Sequence, residues 1–219
     1  MKAQIGSPFW QDKPVIIVAG GSSLRGFDFN SLLEFDAWLV GVNESIFCLP
    51  RCDVGVSIDH MFIEQRFDRL KDKIAGGMEL IIATGSKLKK PISATIMTRL
   101  LTNKLSSNPS QLISCGTSGY GALGVAYLKR AKTVLLLGYD YSADGAHHHE
   151  DYPWHKQLKR ADCWGFWAAY YGSTVPQLKA AKIEVFNASP NSAITAFERG
   201  TIEQGLSWLR TKVQQREAA

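Results

Sequence analysis

Four short segments of this sequence combine residue types that hold anions or move protons. The first is Ala19-Gly20-Gly21-Ser22-Ser23-Leu24. Paired glycines permit a tight turn and a close backbone approach, so that N–H groups and a serine hydroxyl could hold a phosphate. The segment is not a P-loop, because no Gly-Lys-Ser/Thr follows, and it lacks the third glycine of the dinucleotide fingerprint. The second is Cys115-Gly116-Thr117-Ser118-Gly119-Tyr120, with hydroxyls and N–H groups at a strand-to-helix junction. The third runs from Tyr139-Asp140-Tyr141 to His155 and contains His147-His148-His149-Glu150-Asp151, Tyr152 and Trp154. Imidazoles exchange protons near neutral pH, which suits a general base. The fourth is Asn187-Ala188-Ser189-Pro190-Asn191-Ser192.

Each segment also has a plainer reading. The glycine pair would serve as an ordinary strand-to-helix turn. Thr117 or Ser118 would cap a helix, as would Asn191 or Ser192 after a turn fixed by Pro190. The histidine run would be a solvated loop. Three consecutive histidines chelate one ion poorly, so no metal site is assigned, although His147 and His149 have His-x-His spacing.

The elements that must position these segments alternate along the chain. Continuous apolar runs at 14–20, 36–43, 53–59, 78–84, 132–138 and 183–187 predict strands, and residues 112–115 lead into the second segment. Helical spacing covers 60–74, 120–130, 159–181 (with a break expected near Gly172 to Pro176) and 201–216. Residues 85–111 lack strand periodicity; 92–105 reads as a helix or as part of a cover, and 139–160 as a second cover loop. Strands apolar throughout, alternating with helices, predict an α/β fold: one Rossmann-like domain over residues 1–219, with a mainly parallel sheet covered by helices on both faces. Ligands of such sheets bind beyond the carboxyl ends of the strands. Ser22, Asn43, Asp59, Thr117, Asp140 and Asn191 all follow predicted strands and are therefore expected on one edge.

The whole-chain totals agree. The 219 residues are 45% hydrophobic and 21% charged, ordinary for one globular domain. No run of 18 apolar residues predicts a membrane span, and Met1 to Lys13 does not read as a signal peptide. Cys48, Cys52, Cys115 and Cys163 lack metal-type spacing and read as reduced thiols of a cytoplasmic protein. The net charge of +5 favours anionic partners. Its basic clusters, Lys87-Leu88-Lys89-Lys90 and 156–160, also fit solvated surfaces. A homo-oligomer is compatible with all of this.

Taken in order, the segments resemble a superfamily of bacterial lipooligosaccharide-type sialyltransferases, flagellin-glycosylation motility accessory factors and archaeal 6-hydroxymethylpterin diphosphokinase-like proteins. The resemblance spans about Val15 to Arg199. The glycine turn is similar to the group's Gly-x-Gly-Pro-Ser-Leu, with Ser22 in place of proline. Asn43, Asp59, Thr117-Ser118-Gly119, Gly138-Tyr139-Asp140 and Pro190-Asn191-Ser192 match further motifs in order. The resemblance implies a nucleotide-dependent group transferase of glycosyltransferase type. Gly20, Gly21, Ser22, Ser23, Asn43, Asp59, Thr117, Ser118, Gly119, Asp140, Asn191 and Ser192 would bind the nucleotide of a nucleotide-sugar donor, tyrosines would stabilise the leaving phosphate, and a histidine would be the base. Residues 140–181 align loosely with that pattern. Within them His155, beside Tyr152, is the first choice of base and His149 the second. The acceptor (glycan, small molecule or nucleic acid) is not implied.

Two alternatives stand beside this reading. One is a diphosphokinase in which Asp59 and Asp140 place magnesium. The other is a nucleotide- or nucleic-acid-binding module without chemistry. On the glycine-turn reading, Gly21→Val is expected to abolish nucleotide binding while the fold survives.

Overall fold

The computed structural model describes residues 9–85, 87–141, 147–149 and 161–217. The strands are β1 (Val15–Val18), β2 (Trp38–Val42), β3 (Val54–Ser57), β4 (Glu79–Thr84), β5 (Thr95–Leu100), β6 (Gln111–Ile113), β7 (Thr133–Leu137), β8 (Glu184–Asn187) and β9 (Glu198–Arg199). They form one sheet in the order β6-β5-β4-β3-β2-β1-β7-β8-β9. Every neighbouring pair is parallel. The helices are α1 (Ser45–Cys48), α2 (His60–Gln65), α3 (Phe67–Ala75), α4 (Ser118–Leu128), α5 (Ala161–Ala169), α6 (Val175–Ala180) and α7 (Ile202–Glu217). None of the described helices is long and apolar enough to cross a membrane.

Side chains alternate across a strand, so a strand apolar at every position must be covered on both faces. Val15, Ile17, Val40, Val56 and Leu136 point to one core, where α4 supplies Tyr120, Leu123 and Ala126. Ile16, Val18, Leu39, Ile82 and Leu137 point to the other, against Ile46 of α1, Phe62 of α2, Leu70 of α3 and Leu209 of α7. Helix α4 is buried over nine of its residues, Ser118 to Ala126, which is why it carries no polar face. The expected α/β architecture, a parallel sheet with helices on both faces, is therefore present.

The region read as a helix at 92–105 is instead β5, and 85–111 contributes two sheet strands rather than only a cover. Thr95, Ile96 and Thr98 are β-branched and fit the pleated surface, and pairing to β4 on one side and β6 on the other overrides the local helical spacing. Buried Met97 lies between exposed Ile96 and Thr98, the alternation of a half-covered strand. The two-residue β9 has no sequence signal beyond its pairing with Phe186 and Asn187. Helix 159–181 breaks as expected: a 3-10 segment, Tyr170–Thr174, separates α5 from α6, and Pro176 occupies the first turn of α6.

The order of strands determines where a crevice opens. Strands β1 to β6 progress to one side of β1; the chain then returns through α4 and lays β7 on the other side. The sheet therefore reverses direction between β1 and β7, the position at which open α/β sheets bind ligands beyond the strands' carboxyl ends. Because all strands are parallel, the turns after β1, β2, β3, β6, β7 and β8 share one edge. Asn43 and Thr117 lie on that same edge, as the sequence predicts.

Candidate functional site at the reversal between β1 and β7

The turn after β1 is bound directly to the turn after β7. Ala19 N–H donates to the Leu137 carbonyl (2.8 Å) and Gly21 N–H to the Gly138 carbonyl (2.9 Å). A side chain at Gly21 would place its Cβ 2.5 Å from the Gly138 carbonyl oxygen and 2.6 Å from the Asp140 carboxyl, so only glycine permits this approach. Beyond the turn the chain forms 3-10 turns, Ser22–Leu24 and Phe29–Glu34, in place of the α-helix expected there. Gly26, with φ of 75°, ends the first of them.

Asp140, only 8% exposed, takes the donors that a phosphate would need at this turn. Ser23 donates its N–H to Oδ2 (2.7 Å) and its hydroxyl to Oδ1 (2.6 Å), and the Ser22 hydroxyl donates weakly to Oδ2 (3.4 Å). Since the Ser23 hydroxyl is committed to Asp140, the buried Ser189 hydroxyl donates to it at 3.3 Å. The Ser23 donors of the glycine turn are thus engaged within the protein. Ser192 is buried and structural in the same way: its hydroxyl donates to the Tyr139 carbonyl (2.6 Å) and accepts from Ile194 N–H (3.0 Å). Asn191, on the same turn, is exposed.

The histidine run lies over the glycine turn. His147 bridges antiparallel to Gly21, and His148 N–H donates to the Gly20 carbonyl (2.9 Å). A Cβ at Gly20 would stand 2.9 Å from His147 Cδ2 and 3.0 Å from His149 Nε2, so these two rings, stacked at 4.8 Å, occupy the space above that glycine. The Ser45 hydroxyl donates to the Ala19 carbonyl (3.0 Å) and therefore accepts from His148 Nε2–H (3.2 Å), which assigns the tautomer. Ser45 and His148 are contacts that sequence reasoning missed, because a one-residue pattern carries no sign of a partner 103 positions away.

Burial, followed by the neighbouring His149 and His147, pushes the His148 ring down to about 4. An imidazole in the unfolded chain titrates near 6.5. The folded state thus resists a proton that the unfolded state accepts. The associated stability is fully present above about pH 6.5 and is lost as pH falls toward 4. After allowance for partial solvent access, a loss of about 1–2 kcal/mol is expected. His148→Gln keeps an N–H donor and does not titrate. Between pH 7 and pH 4.5 the wild type should therefore lose more melting temperature than this variant; parallel losses would show that His148 does not carry the effect.

The second donor set reaches the same place through Tyr141. Thr117 caps α4 by accepting Tyr120 N–H (3.2 Å), and its hydroxyl also meets Tyr141 OH (2.8 Å). Tyr141 OH in turn meets Tyr171 OH (2.8 Å). Gly119 lies beneath these rings; a Cβ there would be 3.0 Å from Tyr141 OH and 3.2 Å from Tyr139 Cε1. Burial pushes the Tyr141 phenol up to about 12 and raises the Tyr139 and Tyr171 phenols well above their ordinary range, so all three remain neutral hydroxyls at physiological pH. Tyr141 has φ of +50°, an uncommon conformation for a bulky residue, and its two hydroxyl contacts help hold it there. Thr117 thus both caps α4 and binds the Tyr141 phenol. The N–H groups of Ser118 and Gly119, in the first turn, have no intrahelical acceptor.

Other expected site residues divide clearly. Asn43, at the end of β2, has φ of 52° and a buried Oδ1 without a hydrogen-bond partner among the described residues. The Ser118 hydroxyl accepts Ile58 N–H (3.1 Å) and ties α4 to the end of β3. Asp59 caps α2 through Oδ1, accepting from Met61 N–H (2.9 Å) and Phe62 N–H (3.3 Å). It follows β3 and adjoins Ile58, whose N–H is bound by Ser118 at the amino end of α4. His155 and Tyr152 lie outside the described residues. The Lys87–Lys90 cluster borders a hollow of about 310 Å³ at the end of β4, and Lys90 sits 4.9 Å over the Phe67 ring, a packed surface rather than part of the reversal. A hollow of about 430 Å³, lined by Leu178, Lys182, Glu184 and Phe197, includes the amino end of β8, away from the edge that carries the site.

No known family model matches the chain, and no curated protein sequence does.

Proposed function

We propose that this chain is a nucleotide-dependent group transferase of glycosyltransferase type, acting in the cytoplasm on an activated nucleotide-sugar donor. The observation that carries the reading is the meeting, at the sheet reversal, of the glycine turn, Asp140, the histidine run and the capped amino end of α4. Asp140 already fills the donors of Ser23, so the donor phosphate is assigned to the Thr117–Gly119 turn. There the N–H groups and the Thr117 hydroxyl, itself accepting from the neutral Tyr141 phenol, supply hydrogen bonds to a leaving phosphate. Asn43 Oδ1 is an acceptor for a nucleotide hydroxyl. His149, over Gly20, is assigned as the base that takes the acceptor's proton.

The diphosphokinase alternative fits less well. It needs Asp59 and Asp140 on one magnesium ion, but β3 and β7 are three strand spacings apart, about 14 Å. Asp140 is also engaged by Ser23 of the turn after β1, and Asp59 by the first turn of α2.

The test is a melting-temperature panel with cytidine, uridine, adenosine and guanosine nucleotides, with and without magnesium. A ligand at about 100 times its Kd stabilises by about 2.7 kcal/mol, or roughly 5–10 °C for a chain of this size. One nucleotide class is expected to give this shift without magnesium. A shift that requires magnesium would support the diphosphokinase, and a flat panel would end the nucleotide reading.

A further inference from the structure

Helix α5 is apolar on nearly all sides, yet its residues are unevenly covered. Trp164, Trp167 and Ala168 have the i, i+3, i+4 spacing of one helical stripe, and Tyr171 continues it into the 3-10 segment. Ala168 and Tyr171 are buried, whereas Trp164 and Trp167 are only partly so. The two indoles cross at 87° with centroids 5.2 Å apart, forming a corner. Trp164 meets Tyr141 edge-on at 5.9 Å. Trp167 lies against Gly116: a Cβ there would stand 2.9 Å from its Nε1, and Gly116 has φ of 89°. The corner is therefore held to the residue immediately before the Thr117 cap and to the phenol bonded to that cap.

On the nucleotide-transferase reading, we propose that Trp164 and Trp167 form the subsite for the donor's nucleobase. Three features carry this assignment. Large aromatic faces left partly open beside a polar crevice offer a stacking platform, and every base has a planar π-face. A crossed pair also suits a flat ring, one indole stacking while the other closes its side. Finally, the corner is continuous with the Thr117–Gly119 turn, so a nucleotide whose phosphate lies on that turn has its base within reach of the indoles. Gly116 acquires a function here, because its missing side chain admits Trp167.

The experiment is fluorescence and binding titration of the full chain with nucleoside monophosphates, and separately with free monosaccharides. The variants are Trp164→Phe, Trp164→Leu, Trp167→Phe and Trp167→Leu. Leucine keeps apolar packing but removes the π-face, and phenylalanine keeps both. The nucleotide is expected to quench tryptophan emission. Leucine at either position should weaken its binding roughly 5–100-fold, while phenylalanine stays within about threefold. Circular dichroism and melting temperature identify any variant that fails to fold, and the phenylalanine variants keep the comparison usable. Nucleotide binding that is indifferent to all four substitutions would overturn the subsite and leave the transferase reading intact. Quenching by monosaccharides alone would also overturn it. If no nucleotide shifts the melting temperature of the wild type, the underlying reading fails first.

Discussion

Replacing His149 with alanine is expected to slow group transfer by about 10²–10⁴-fold, the usual cost of losing a general base. The ring lies against Gly20 with Nε2 facing the turn, and it is stacked on His147. It can therefore meet an acceptor hydroxyl brought to the reversal between β1 and β7. Nucleotide affinity should change little, because the assigned phosphate and base contacts come from Thr117, Tyr141 and the indoles. The measurement is single-turnover transfer with the donor identified by the melting panel, alongside the donor Kd. His155→Ala is the parallel variant. Full activity in His149→Ala with loss in His155→Ala would transfer the role to His155, whereas reduced affinity with normal turnover at saturation would make His149 a binding residue.

Gly21→Val should lower stability by about 3–5 kcal/mol, or roughly 6–20 °C in melting temperature. Its Cβ would intrude on the Gly138 carbonyl at 2.5 Å, which is backbone and cannot rotate away. Relief requires β1 and β7 to separate beyond their ends, and that movement breaks the Gly21–Gly138 bond and the two short bonds from Ser23 to Asp140. To the sequence-based expectation that this variant stays folded and loses its ligand, the close approach adds a loss of stability. Gly20→Ala is the contrasting control. Its new methyl group would meet the ends of the His147 and His149 rings, which can turn. It should melt within a few degrees of the wild type yet transfer more slowly. Equal melting temperatures for Gly21→Val and the wild type would show that the two turns are not locked together.

Several site features were visible in the residues alone because they depend on local chemistry. Thr117 followed by a helix predicts a cap, and the cap exists with Tyr120 N–H as donor. Glycine at 20 and 21 predicts a close approach, and both positions have one. What approaches was not visible. Asp140 fills the donors of Ser23 across 117 positions of sequence and so joins the turn after β1 to the turn after β7. Asp59 shows the opposite limit: its place after a strand was right, and only the structure shows that its carboxylate caps α2.

The sequence by itself determined the fold class. Continuous apolar strands must be buried on both faces, and strands separated by helices pair in parallel, so the side-chain pattern and the connections suffice. It also determined that the polar turn residues share one edge, because that follows from parallelism alone. Only the tertiary structure decided the strand order, and with it which two turns meet. It made a strand of 95–100, where sheet pairing outweighs local propensity. It brought Tyr141 to Thr117, the histidine run to Gly20 and two indoles to Gly116. These contacts depend on chain segments returning from far away in sequence, and no local propensity encodes which distant side chain will arrive.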